Sequence, residues 1–211
     1  FQKEHNLTIF HLMGQHVNYK LRYRKEQAKF WASSYEEKRP ELTTAQRKML
    51  SHYDNATLYN DSIVAQIVKR FQKEDAVIIY VPDHGEECYE EDRGFICRNH
   101  SANIDWPLAH YEFEIPFWIY CSPKYIRNHR DIYRQIRKAK DKRFMTDALP
   151  HLLLYLAGIE TPTYKEEYNI LSPKYNEMRP RILKNSADYD QLRDEHLEKV
   201  EKEKSYYVCK R

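Results

Sequence analysis

The chain has 211 residues, with 35 basic and 32 acidic side chains and a formal net charge of +3. That balance leaves no electrostatic footprint for nucleic acid, which is excluded as an expected partner. No apolar run approaches the ~20 residues that cross a bilayer, and the length suits one domain or part of a larger one. Tyrosine is abundant, 18 copies against 4 glycines, so many rings are expected half buried with the hydroxyl bonded.

The chain opens at Phe1 in a charged stretch and reaches a predicted strand, Leu7 to Leu12, almost at once. A strand so close to the start reads as a segment of a longer protein. Met13-Gly14 ends it. A polar, aromatic stretch with Tyr19, Tyr23 and Trp31 follows and closes at Pro40. Thr43 or Thr44 reads as a helix cap, and Asp54 as the opening of a second helix. In that helix Ala56, Ile63, Val64, Ile67, Val68 and Phe71 recur at three- and four-residue steps, an amphipathic stripe for packing on a sheet. Ala76 to Val81 is short, β-branched and free of charge, the pattern of a strand buried on both faces. The strand–helix–strand unit over residues 7–81 is expected to be parallel and right-handed.

Residues 83–112 read as a long polar loop, a feature that in a compact domain is functional or disordered. A second apolar strand runs from Ile115 to Tyr120, ahead of Ser122-Pro123. A basic helix is predicted over 129–139, its charges a solvated face. An apolar helix is predicted from Thr146 to Ala157, with Pro150 in its first turn and Gly158 as its stop. The tail from Tyr164 is polar, and residues 188–204 fit a charged surface helix. The cysteines are Cys88, Cys97, Cys121 and Cys209. None forms a Cys-x-x-Cys pair, which argues against a structural zinc site. Cys88 and Cys97 are open to two readings, a disulfide in an oxidising compartment or two free thiols.

The chemistry gathers at strand ends. Asp83-His84-Gly85-Glu86-Glu87 follows the strand 76–81 directly. Ligands of open α/β sheets bind just beyond such strand ends, and a carboxylate beside an imidazole offers two donors to a divalent metal. Gly85 lets the chain turn away. His16 follows the first strand, and His100 lies in Arg98-Asn-His-Ser101 within the long loop. Parallel strands would gather His16 and the Asp83/His84 pair on one edge. Imidazoles and a carboxylate around a metal suit a phosphoryl or sulfuryl group. His11 is expected to be packed. His5, His52, His110, His129, His151 and His196 are expected to be structural or on the surface. Glu86 and Glu87 are expected beside the ligands or in solvent, and Ser101 lacks a base at fixed spacing.

In this order the motifs resemble the phosphoethanolamine transferases, a branch of the alkaline phosphatase/sulfatase superfamily. The matching pieces are His11-Leu-Met-Gly-Gln-His16 with Tyr19 and Arg22-Tyr23; Tyr53 to Asp61; Val77 to Glu87; His100-Ser101; Glu114 to Tyr120; and Met145 to Gly158. Tyr168 to Pro173 and Arg179-Pro-Arg181 look like the end of the family's catalytic domain.

The resemblance implies an α/β fold, a mostly parallel sheet sandwiched by helices, alkaline-phosphatase-like and incomplete in this chain. Residues 1–183 would be the C-terminal half of the catalytic domain and 184–211 a charged, partly helical tail. It implies an inner-membrane enzyme with this part in the periplasm, anchored by membrane helices outside this sequence. The implied activity moves phosphoethanolamine from a phosphatidylethanolamine donor to lipopolysaccharide or lipid A through a phospho-threonine. Asp83 and His84 would be ligands of zinc or another divalent metal. His16 and His100 would be the catalytic, substrate-binding histidines on the phosphate side. The family's nucleophilic threonine and glutamate ligand lie upstream of the His11 segment, so neither is expected here, and Thr8, Thr43 and Thr44 are not substitutes. The piece alone is expected to bind zinc weakly and to be inactive. The competing readings are a sulfatase or phosphodiesterase of the same superfamily and a non-catalytic interaction domain on this fold.

Overall fold

The computed structural model describes the backbone of residues 6–99, 103–184 and 186–208, with the side chains of Asp92 and of 203–208 left aside. In chain order the regular elements are α1 (Thr44–Phe71), β1 (Val77–Tyr80), β2 (Glu87–Cys88), β3 (Ile96–Cys97), α2 (Trp106–Leu108), β4 (Trp118–Cys121), α3 (Pro123–Asn128), α4 (Arg130–Ala139), α5 (Leu149–Leu156), β5 (Ile182–Leu183), β6 (Ala187–Asp188) and α6 (Tyr189–Val208). Short 3-10 turns occupy Tyr19–Leu21, Lys25–Gln27 and Ala32–Tyr35. Among the described residues, β1 pairs with β4, β2 with β3, and β5 with β6. Ser122 N donates to Ala76 O just before β1, and Tyr80 at its far end stacks on Trp118. Those two contacts step in opposite directions along the chain, so β1 and β4 run antiparallel.

The chain divides into two compact units. The first holds residues 1–78, 88–97 and 120–128; the second holds 79–87, 98–119 and 129–211.

α1 organises the first unit. Thr43 caps it, its hydroxyl accepting from Gln46 N while the Gln46 side chain accepts from Thr43 N, a reciprocal arrangement that satisfies two otherwise orphaned donors. The helix then runs unbroken to Phe71, so Asp54 does not open a second one. No Gly or Pro interrupts residues 44–71, and nothing else there breaks the ladder. Its buried residues are Leu50, Ser51, Asn55, Ala56 and Asn60, so of the predicted apolar stripe only Ala56 is buried and the rest is half-buried. Tyr35, Leu42, Leu50, Cys88 and Tyr89 form one core, with Phe30, Tyr53 and Ile96 against it. Among the described residues Cys88, Cys97 and Cys121 form no disulfide.

Asn55 fixes residues 29 and 30 to α1. Its Oδ1 accepts from Lys29 N at 2.6 Å and Phe30 N at 3.1 Å. Its Nδ2 donates to Phe30 O at 2.8 Å and Ser51 O at 2.7 Å. Asn55→Ala strips a partner from four backbone groups at a buried site, and a buried group left wholly unpaired costs roughly 1–3 kcal/mol. We expect a drop of about 3 kcal/mol in urea unfolding at unchanged m-value.

The predicted strand at residues 7–12 is not a strand; residues 6–13 have no regular structure. Leu7, Ile9, Phe10 and Met13 are exposed. The composition favours a strand, but a strand forms only against a neighbour that takes its backbone hydrogen bonds. Among the described residues none pairs with it.

The second unit carries two cores. Ala139, Leu152, Ile170 and Leu171 pack with Ile79, Phe117, Ile119, Phe144 and their neighbours. Ala109, Leu183 and Tyr189 pack with Ile104, Trp106, Phe113 and Leu192. α4, α5 and α6 fall where the sequence places helices, and Gly158, at φ +64°, takes the left-handed conformation that stops the apolar helix. The predicted loop 83–112 is more ordered than a loop. It holds β2, β3, α2 and a π-helical turn, Ala109–Phe113. Trp106 lies between two imidazoles, stacked on His110 (centroids 5.4 Å) and on His196 of α6 (5.2 Å).

Candidate metal centre

Asp83 and His84 leave β1 together. The His84 Nδ1 lies 2.7 Å from Gly85 O. A carbonyl only accepts, so Nδ1 carries the proton and donates, which directs the other ring nitrogen's lone pair outward in the neutral imidazole. That nitrogen, Nε2, lies 3.7 Å from Asp83 Oδ2. Two donors bound to one tetrahedral zinc at about 2.0–2.2 Å sit roughly 3.4 Å apart, so this spacing fits two ligands of a shared cation. A histidine ligand braced by a carbonyl on its second nitrogen is the usual arrangement at metal sites. Among the described residues no group of three or more His, Cys, Asp or Glu side chains could hold a metal. The residues present therefore fit a divalent ion as two of its ligands, a half-site.

Gly85 is fixed by space and not by its dihedral angles. A Cβ there would meet Tyr111 O at 2.2 Å. The close approach brings Gly85 N to Glu112 O at 2.8 Å, so the turn is pinned to the π-helical segment. Glu112 is 2% exposed, and its Oε1 accepts from Asn99 N at 2.6 Å. Sequence reasoning missed Glu112, which fell in the presumed loop. The available signal was Asp105-Trp106-Pro107, an N-cap residue followed by Pro in the first turn. Asp105 Oδ1 indeed accepts from Leu108 N at 3.0 Å. Glu87, expected beside the ligands or in solvent, is fully buried.

His16 lies in the first unit on an exposed turn. Its backbone N donates to Met13 O at 3.0 Å, and its carbonyl accepts from Arg22 Nε at 2.9 Å. Gln15 beside it reaches Thr57 of α1 at 3.1 Å. These bonds shape the turn and leave the imidazole at the surface. His11 is exposed and not packed as expected; with no strand at residues 7–12 there is no sheet to bury it. His100 and Ser101 lie outside the described residues.

Elsewhere in the second unit Asp190 and Asp147 gather arginines. Asp190 accepts two bonds from Arg181, one of them at 2.6 Å, and another from Arg143. Arg193 Nη1 lies 3.2 Å away. The Arg181 hydrogen bond holds the Asp190 carboxyl below the usual carboxylate range. The Arg179 bond does the same for Asp147. Burial and a hydrogen bond to Glu114 push the Tyr189 hydroxyl up to about 12.

The strand β1 thus delivers Asp83-His84-Gly85 into a turn braced against Glu112. The family model described as Sulfatase matches residues 2–159, and the chain belongs to that family. Within it the chain is similar to the phosphoethanolamine transferase EptC of Escherichia coli, 33% identical over 194 residues, covering 88% of this chain and 32% of that protein. It is also similar to the Kdo(2)-lipid A phosphoethanolamine 7''-transferase of Escherichia coli, 29% identical over 141 residues, 65% of this chain and 23% of that one. Among solved structures it matches the C-terminal periplasmic domain of Escherichia coli EptC in complex with Zn. The TM-score is 0.67 at 28% identity, covering 85% of this chain and 50% of that one. The fold is thus the α/β, alkaline-phosphatase-like fold of that domain, present in part. The chain spans about a third of the length of the curated relatives it matches. No described helix is long and apolar enough to cross a membrane.

Proposed function

We propose that this chain is part of a periplasmic phosphoethanolamine transferase, in which Asp83 and His84 are ligands of a catalytic zinc or another divalent ion. The observation that carries the reading is the pair itself: Nε2 and Oδ2 3.7 Å apart, with Nδ1 held by Gly85 O. Membership of the Sulfatase family and the likeness to named phosphoethanolamine transferases support it. Residues 1–183 form part of the catalytic domain, and residues 184–211 follow it as a charged tail.

A divalent ion at such a site neutralises charge on the phosphoryl oxygens and lowers the pKa of a coordinated hydroxyl. The residues of this chain then act as follows. Asp83 supplies a charged oxygen donor and His84 a neutral nitrogen donor whose ring is fixed by Gly85 O. His16 and His100 bind the phosphate group. A threonine from the rest of the protein, entering as its alkoxide and leaving as the same alkoxide in the second displacement, would form a bond to the phosphorus of phosphatidylethanolamine as the bond to the diacylglycerol oxygen breaks. His16 donates a proton to that leaving oxygen. The acceptor oxygen of lipid A or lipopolysaccharide then displaces the threonine, and the proton it gives up returns to the imidazole. Anchoring in the inner membrane by helices elsewhere in the protein would bring both lipids within reach.

His84→Ala in the full-length protein should lower zinc affinity and transfer by more than ~100-fold, beyond the 10- to 100-fold typical of groups that only brace a ligand. Complementation left intact by that substitution would favour the interaction-domain reading. A kcat–pH profile unchanged in His16→Ala would remove the proton-donor role and leave the metal assignment standing.

A further inference from the structure

Glu112 ties down two segments that are far apart in sequence. Its backbone carbonyl accepts from Gly85 N at 2.8 Å, holding the turn that carries Asp83 and His84. Its carboxylate accepts from Asn99 N at 2.6 Å, holding the strand exit that leads into His100. The residue sits in the π-helical turn Ala109–Phe113, a rare geometry that is frequent at functional sites. It is 2% exposed, and its Oε2 is buried with no hydrogen-bond partner among the described residues. Burying a carboxylate is costly unless its bonds are needed, and an apolar side chain of the same length would fill this space without that cost.

We infer that Glu112 is a positioning residue for the Asp83–His84 ligand pair, acting through the Asn99 amide on one side and the Gly85 amide on the other. The inference rests on reading Asp83 and His84 as metal ligands. The π turn brings the Glu112 backbone to the Gly85 turn, and the carboxylate clamps that turn to the Asn99 segment. Loss of the side-chain acceptor would release the Asn99 segment directly and leave the Gly85 turn held by its backbone bond alone, loosening the support of the donor pair. The Gly85 contact is a backbone one, so a side-chain substitution tests the clamp and leaves the turn's own hydrogen bond available.

The test uses the full-length protein with zinc as the probe. Glu112→Met keeps the length and removes the acceptor; Glu112→Gln keeps an oxygen for Asn99 N. Zinc affinity, measured by competition with a chromophoric chelator, should fall about 10- to 100-fold in Glu112→Met, as for other groups that brace a ligand, and stay near the unsubstituted value in Glu112→Gln. Hydrogen exchange at the Asn99 amide should speed up in the Met variant only. Glu112→Met with unchanged zinc affinity and only a lowered Tm would reduce Glu112 to a packing residue and overturn the inference. Glu112→Gln as impaired as Glu112→Met would overturn the clamp through Asn99. Should Glu112→Met not fold, an Asn99 amide that exchanges freely in the unsubstituted protein overturns it as well, and a protected one supports it. His84→Ala separates the two levels. Unchanged zinc affinity there defeats the ligand reading, whereas loss there with Glu112→Met intact defeats this inference alone.

Discussion

Gly85→Ala should destabilise the second unit by about 3 kcal/mol and lower zinc affinity of the full-length protein in the same variant. The added methyl would sit 2.2 Å from Tyr111 O, with the Tyr111 carbonyl carbon at 3.3 Å and Glu112 Cα at 3.4 Å. All three are backbone atoms in a hydrogen-bonded turn and cannot rotate aside. Overpacking of this kind costs roughly 1–3 kcal/mol. If the turn lifts to escape, it loses the Gly85–Glu112 hydrogen bond and leaves a donor orphaned, a further cost of about 1–3 kcal/mol. The backbone at Gly85 is not in the left-handed region, so Ser and Ala should be equally damaging. Urea unfolding of the variant checks the first number, and chelator competition the second. A Gly85→Ala protein with native Tm would mean that the turn can move freely.

The second large effect is expected at Asp190. Its side chain is 21% exposed and faces Arg143, Arg181 and Arg193. Asp190→Ala leaves three guanidinium groups close together without their shared counterion. Arg143 Nε is buried with no hydrogen-bond partner among the described residues. Removing one partner of a buried ion pair costs roughly 3–5 kcal/mol; with water reaching this cluster, about 2–3 kcal/mol is expected. The Asp190 carboxyl is held down by the Arg181 hydrogen bond and the Asp147 carboxyl by Arg179. A depressed folded-state value means that the stabilisation is full above the unfolded carboxylate range, near pH 4, and is lost as pH falls through the lower folded values. Acid unfolding followed from pH 5 downward should therefore be shallower in Asp190→Asn than in the parent. Equal slopes would show that Asp190 does not couple to folding.

The sequence was most readable where the signal is local. Thr43 and Gln46 announce the start of α1 three residues apart, and Gly158 announces the end of the apolar helix. The β-branched run before Asp83 located β1 and the turn that carries Asp83 and His84. What was not readable depends on partners distant in the chain. Asp54 looks like a helix start, yet it lies inside α1, which Thr43 has already opened, and its carboxylate accepts from the distant Tyr35 hydroxyl instead of capping. Leu7 to Leu12 has strand composition but no strand beside it among the described residues. Glu112 looks like any surface glutamate; only its backbone contact with Gly85, 27 positions earlier, and its side-chain contact with Asn99 give it a role. Hydrophobic periodicity encodes which face is buried, whereas the partner of a buried carboxylate is set by topology.

The position of Trp106 between His110 and His196 gives the protein an intrinsic optical reporter. Trp31 is largely exposed and Trp118 lies on Tyr80, so Trp106 is the indole whose surroundings change when α6 detaches. Peeling the C-terminal helix away would remove one imidazole from its face and admit water, shifting the emission to longer wavelength. A Trp31→Phe background would then let fraying of that helix be followed separately from global unfolding, simply by the colour of the emitted light.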